Sequence, residues 1–371
     1  MPVRPLISLM VTATILPGSG DVPCVNIPEN IEKAKPLYSR DTLSICVLGD
    51  MMMHTAQLEK ALQKDGTYDF TSYFEHIQED ISEADIAIAN MEYTMGGKPY
   101  TGYPSFSAPE SFTRHMASCG FDIFLCANNH IMDRSCRGAE TTIDKLENLS
   151  ADYGILFCGI ASDQEELKTP LMIRRKGITL AIENLTYGTN HIPDKDWPKA
   201  KLISDSTMVK QSLQKAQEAN FTLVFPHWGE EYKLKESKRQ KAQAEQLARY
   251  GADMIIGSHP HVAQGYETLG PYSVPVAYSL GNAVSNMSAT NTQLELMATI
   301  RIAREDNGDL KMLPLQFTYL WCSRPGGYSD EYTIIPIKKY IDKEEEWKGR
   351  WDYDKMISTY ERVKKVINIQ D

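Results

Sequence analysis

With 371 residues and 42% hydrophobic side chains, the chain can bury one large core or two ordinary ones. Its formal net charge of −10 argues against broad electrostatic attraction to nucleic acid or to an anionic membrane surface. Seven cysteines without a CxxC pair exclude a zinc ribbon or a thioredoxin motif, and Cys46, Cys126 and Cys158 fall in or beside apolar strand-like runs where a thiol serves as a small core side chain.

In chain order, the opening MPVRPLISLMVTATILPGSGDVPC carries one Arg and an apolar stretch from Leu6 to Leu16. That stretch fits a signal-peptide core and is too short to span a bilayer. Residues 1–40 are therefore read as a leader and N-terminal arm, with export to the envelope or periplasm expected and a cytoplasmic chain as the alternative. LSICVLGD reads as a buried strand ending at Gly-Asp, followed by a helical AQLEKALQK. ADIAIANME and FDIFLCANNH are the next strands, with a helix over 137–149, and ILFCGI and ITLAIENLTY follow as strands. A helix opening at an Asp or Ser cap at 205–206 leads into FTLVFPHWGEEY, and a second, ending at Gly251, leads into MIIGSHPHVAQ. VPVAYSLGN, LELMATIRIA and LKMLPLQFTYLW are strand-like, and residues 341–371 form a charged, helical tail. Alternating strands and helices predict an α/β domain over 41–340 with a mainly parallel core and antiparallel additions; no other segment is apolar and long enough to be transmembrane.

The informative feature is where the polar residues fall. Asp50 follows ICVLG; Asn90 and Glu92 follow IAIA; Asn128, Asn129, His130 and Asp133 follow IFLCA. His227 follows TLVFP, His259 and His261 follow MIIGS, and Asn282 follows AYSLG. Each has an ordinary reading: Asp50 as a turn residue or cap, Glu92 as a surface carboxylate, Asn128 and Asn129 bonding local backbone, His227 packed beside Trp228. HPH is sharper, because alternate side chains of an extended segment share a side and His259 and His261 would converge. In parallel α/β sheets the ligand crevice lies at the carboxyl ends of the strands. Two carboxylates, an Asn and three His sharing that edge are what a two-ion N/O site requires. Dinucleotide-loop, P-loop and GxSxG templates are absent or misplaced. An amidohydrolase-type barrel would bring its HxH at the first strand, whereas here it arrives at residue 259. Aromatics of RPGGYSDEY are read as loop packing, with a substrate groove as the alternative.

The ordered set GDMMMH, ANMEYT, NNHIMD, HWGEEY, GADMIIGSHPHVAQ and YSLGNAV, spanning about residues 43–285, resembles the CapA family of bacterial capsule or poly-γ-glutamate synthesis proteins, a branch of the calcineurin-like metallophosphoesterases. The resemblance implies a four-layer α/β/β/α metallophosphoesterase-like sandwich and a dinuclear centre of divalent Mn, Fe or Zn. By position, Asp50 and His261 would bind one ion, Asn129, His227 and His259 the second, and Glu92 would bridge them. His130 would be the proton donor, oriented by Asp133. The sequence departs from the broader pattern in placing Met52 where a ligand His is usual and Glu92 where a bridging Asp is usual. The implied activity is hydrolysis by a metal-bound hydroxide, acting on a phosphoester or an anionic polymer in capsule synthesis, with other capsule-synthesis proteins as partners. The alternative is a non-hydrolytic envelope protein that binds or guides an anionic capsule polymer through its metal cleft.

Overall fold

Alternation in the first long strand decides how two sheets stack. In Thr42–Met51, Leu43, Ile45 and Val47 enter one apolar cluster while Cys46 and Leu48 enter another, because successive side chains of a strand point to opposite faces. A computed structural model describes residues 22–27 and 42–370, so the leader expectation falls mostly outside the described residues. Thr42–Met51 sits in a nine-stranded sheet and runs parallel to Ile86–Met91, which pairs in the same sense with Ile123–Leu125 and then Leu156–Cys158. On its other side the additions are antiparallel, as predicted: Leu294–Arg304, Gln316–Ser323 and Thr333–Pro336. A seven-stranded sheet has a parallel centre of Ile178–Thr186, Phe221–His227, Met254–Ile256 and Val274–Ala277.

The two sheets face each other through Ile45, Val47 and Ile88 on one side and Leu180, Ile182, Leu223 and Phe225 on the other. Outside the first sheet, Phe112 and Met116 of helix Glu110–Cys119 and Leu146 of helix Ser135–Tyr153 cover Leu48, Ala87 and Ala89. Outside the second, Leu213 of Ser206–Ala216 and Leu247 of Lys238–Arg249 cover Ala181, Val224 and Ile255. These layers make the four-layer α/β/β/α sandwich that the resemblance implies. Each fully buried Leu, Ile or Phe contributes about 1.5–3 kcal/mol, so the layering is set by the apolar pattern. The predicted cap of Ser206–Ala216 forms, Asp205 accepting from the Met208 amide at 2.9 Å, and Ser237 forms a reciprocal cap with Gln240 at the start of Lys238–Arg249. Helix Arg350–Ile367 turns Met356, Tyr360, Val363 and Ile367 into the inter-sheet cluster.

Three predicted elements change form, and LKMLPLQFTYLW is one of them, dividing into the strands Leu310–Met312 and Gln316–Ser323. The helix of AQLEKALQK stops at Ala61, where Asp65-Gly66 makes a turn closed by the Gln63 amide on the Thr67 carbonyl at 2.8 Å. ILFCGI divides at Gly159 (φ +95°): Leu156–Cys158 stays in the large sheet and Ile160–Ala161 pairs with Lys199–Ala200. A Cβ at Gly159 would lie 2.1 Å from Asn184 Oδ1. That oxygen accepts the Ala127 amide at 2.6 Å, while Asn184 Nδ2 donates to the Phe225 carbonyl at 2.8 Å. Asn184 thus ties the exit of Ile123–Leu125 to the opposite sheet, directly before the NNH turn.

The segment after Lys199–Ala200 is anchored by charge. Lys201 Nζ lies 3.1 Å from Glu183 Oε1, both side chains are almost fully buried, and Ser212 donates to the same carboxylate. Lys201→Met should cost about 3–5 kcal/mol, because it leaves a buried carboxylate unpaired, whereas Glu183→Leu/Lys201→Met should be close to neutral. Urea denaturation of the two variants checks this; equal losses would mean that the pair itself, rather than the unpaired charge, sets the cost.

Candidate metal centre

Strand ends from both sheets meet at one rim. Asp50 lies at the end of Thr42–Met51, Glu92 directly after Ile86–Met91, and His227 is the last residue of Phe221–His227. Asn129, His130 and Asp133 sit in the turn after Ile123–Leu125, and His259 and His261 in the loop after Met254–Ile256. Asn282 opens the short strand Asn282–Val284, in register with Asp50. Gly49 permits this approach: its Cβ would fall 2.1 Å from the Gly281 carbonyl, which accepts the Asp50 amide at 2.9 Å. Asp50, Glu92 and His227 are fully buried, and Asn129, His130, Asp133, His259 and His261 are each at most 5% exposed.

Donor atoms converge on Glu92. Ligand atoms of Asp50, Glu92 and His227 lie within 4.8 Å of one another, as do those of Glu92, His259 and His261, so Glu92 belongs to both groups. His227 Nε2 is 3.5 Å from Glu92 Oε1 and 2.7 Å from Asn129 Oδ1. His261 Nδ1 is 3.5 Å from Asp50 Oδ2, 3.8 Å from Glu92 Oε2 and 2.9 Å from Asn282 Oδ1. Asp50 is held in place by Asn90 Nδ2 at 2.6 Å and by the His259 amide at 3.1 Å. All eight predicted site residues are therefore in one place.

The convergence of His259 and His261 has a different cause from the predicted one. The segment is not extended: His259 has φ +97° and His261 φ +57°, so alternation along a strand does not apply. Two non-glycine residues in the left-handed region cost about 1–3 kcal/mol each and mark a site whose geometry is held by its surroundings. Asn128 fulfils its local reading, bonding the carbonyls of Met91 and Cys126 and accepting the His130 amide at 3.0 Å. Asn129 does not: its oxygen reaches His227 instead.

Burial disfavours every charge here, but around His261 the carboxylates of Glu92 and Asp50 outweigh it and hold the imidazolium up to about 9. Burial likewise pushes Asp50 upward, and the hydrogen bond to His261 with the nearby His227 brings it below the usual carboxylate range. His259 is driven well down by burial and by the fields of His227, His261 and His130. Both oxygens of Glu92 and Nδ1 of His259 are buried without a hydrogen-bond partner among the described residues. A buried carboxylate with bare oxygens among imidazoles and an amide oxygen fits hard or borderline divalent cations, since uncompensated buried charge is costly.

His130 stands at the edge of this group. Its Nδ1 is 2.7 Å from Asp133 Oδ2, which also accepts the Phe106 amide at 2.7 Å, and its Nε2 lies 4.0 Å from Glu92 Oε1. With Nδ1–H donated to Asp133, Nε2 is turned toward the cluster. Phe106 packs edge-on against the His130 ring at 4.6 Å.

Sequence reasoning missed four contributors. Tyr187 covers the site, its ring 4.6 Å from that of His259, and Asn190 places its amide nitrogen 3.3 Å from His130 Nδ1. Both follow Ile178–Thr186, so the strand-end signal was there to be used. Ser258 Oγ lies 3.0 Å from His227 Nδ1, and His54, pushed down to about 4 by burial, has His261 and His130 among its electrostatic neighbours. Met52 is 2% exposed, a core side chain where the broader pattern has a histidine.

Residues 44–287 match the family model described as "Bacterial capsule synthesis protein PGA_cap". The chain is 26% identical over 303 residues to a capsule biosynthesis protein CapA of Bacillus anthracis, covering 77% of this chain and 71% of that protein. It is 23% identical over 342 residues to a PGA biosynthesis protein CapA of Bacillus subtilis (strain 168), covering 90% and 82%. Among solved structures, the NAD nucleotidase NadN of Haemophilus influenzae aligns at 14% identity with a TM-score of 0.42, over 87% of this chain and 67% of that one.

Proposed function

Because the chain belongs to the bacterial capsule synthesis protein PGA_cap family, we propose that it is a metal-dependent hydrolase of capsule synthesis, acting at the cell envelope on a phosphoester or on an anionic polymer of poly-γ-glutamate type. The observation that carries this reading is Glu92: a fully buried carboxylate whose two oxygens have no hydrogen-bond partner among the described residues, common to two groups of potential ligands. Two divalent cations, Mn, Fe or Zn, suit the donor set; Asp50 and His261 would serve one, Asn129, His227 and His259 the other, and Glu92 both. Cations held there would acidify a water and neutralise charge on the transition state.

The chain's own residues do the rest. Asn282 orients His261, Asn90 and the His259 amide orient Asp50, and Ser258 and Asn129 fix His227. His130, steadied by Asp133, gives the proton at Nε2 to the leaving atom as its bond breaks. Tyr187 and Phe106 shield the cluster from bulk water. Among the described residues no helix is long and apolar enough to cross a membrane. Other capsule-synthesis proteins are the proposed partners.

Elemental analysis with assays on phosphomonoesters, phosphodiesters and γ-glutamyl polymer, run on wild type and His259→Ala, tests the reading. Wild type should carry divalent metal and turn over at least one substrate, and His259→Ala should lose most of both. Bound metal with no turnover on any of the three would replace the hydrolase with a polymer-binding role.

A further inference from the structure

Asp133 is used on one side only. Its Oδ2 meets His130 Nδ1 and the Phe106 amide, while Oδ1 is buried and has no hydrogen-bond partner among the described residues. Beside that oxygen stands a second histidine: His191 Nε2 is 4.0 Å from it, on a side chain that is half exposed. A buried carboxylate oxygen without a donor is costly, and an imidazole N–H is a donor of the right kind.

Two loops tied side by side bring the pair together. His191 belongs to residues 187–198, the loop after Ile178–Thr186. At Asn190 this loop is joined to the NNHIMD turn, its amide donating to the Asn129 carbonyl at 2.8 Å. At Asp194 it is joined again, Oδ1 accepting the Cys136 amide at 3.1 Å, and Lys195 pairs with Glu140 at 3.1 Å. His191 lies between these ties on one loop, and Asp133 lies between them on the other. Thr189 Oγ1 donates to the His191 carbonyl at 2.9 Å, which fixes the backbone of His191 and not its ring. A hydrogen bond needs a separation of about 2.7–3.2 Å, so a turn of the exposed side chain between staggered positions is enough to close the gap.

We infer that His191 is a positioning residue: its Nε2–H donates to Asp133 Oδ1, so that the carboxylate is clamped between two imidazoles and the ring of His130 is held with Nε2 toward the cluster. The clamp stands on the geometry alone, and its effect on turnover rests on the proposed function. The test compares zinc-loaded wild type, His191→Ala, His191→Gln and Asp133→Asn. Imidazole protons are read by NMR with and without inorganic phosphate, and turnover is measured on substrates with p-nitrophenolate and with alkoxide leaving groups. Wild type should show an exchange-protected imidazole proton that is missing from both His191→Ala and Asp133→Asn. In the latter, the Phe106 amide and His130 keep the amide oxygen at the Oδ2 position and so turn its nitrogen toward His191. Absence of that proton from wild type in both conditions overturns the clamp, whatever the activity. His191→Ala should lower kcat about tenfold to a hundredfold on the alkoxide leaving group and less on p-nitrophenolate, with KM, metal content and melting temperature close to wild type. His191→Gln, which keeps an N–H donor, should recover most of the loss, and adding His191→Ala to Asp133→Asn should cost nothing more. Equal losses on both leaving groups, or losses that multiply when the two substitutions are combined, would make His191 a loop residue without the positioning role. The protected proton in a protein that turns over no substrate would remove the hydrolase and leave the clamp; turnover that His191→Ala leaves unchanged would do the reverse.

Discussion

Glu92→Gln should abolish stable divalent-metal binding and lower turnover by on the order of 10³-fold, the rate equivalent of losing several kcal/mol of charge stabilisation. The substitution keeps the shape of the side chain and removes the one charge common to both ligand groups. A rival explanation is that Glu92 serves only as counter-ion to His261, whose Nδ1 lies 3.8 Å from its Oε2. The two explanations separate in thermal unfolding with and without added Mn or Zn. A ligand that binds only the folded state stabilises it by about 2.7 kcal/mol at a hundred times its dissociation constant. Wild type should therefore melt at a higher temperature with metal, and Glu92→Gln should show no such increase. An undiminished metal-induced increase in the variant would mean that Glu92 is a structural counter-ion and that the site lies elsewhere.

The sequence disclosed where chemistry gathers better than how the backbone brings it there. Asp50, Glu92 and His227 could be placed because each ends a strand whose apolar run is unmistakable, and strand polarity alone sends them to one rim. His259 and His261 were paired by alternation, whereas the structure brings them together through two left-handed residues; nothing in the letters HPH signals a positive φ at a histidine. Glu183 and Asn184 were legible only as interruptions of an apolar strand, since their partners Lys201, Ala127 and Phe225 come from distant segments. The loop RPGGYSDEY shows the same limit: nothing in its letters tells that Asp330 pairs with Lys348 and Glu331 with Lys60, partners that come from distant segments.

His130→Ala should lower turnover by about 10²–10⁴-fold while leaving metal content unchanged, because the residue touches the cluster only at its edge. Retained metal distinguishes it from a ligand; the leaving group distinguishes an acid from a mere packing residue. A group that leaves readily without protonation, such as p-nitrophenolate, should hide much of the loss, and an alkoxide or amine leaving group should show it in full. Asp133→Asn should produce a smaller loss of the same selective kind, since the amide can still accept from the Phe106 amide or from His130 Nδ1 but no longer stabilises the imidazolium. An equal loss for good and poor leaving groups would deny His130 the acid role. The proton would then have to come from water or from Tyr187, whose ring lies 4.6 Å from that of His259.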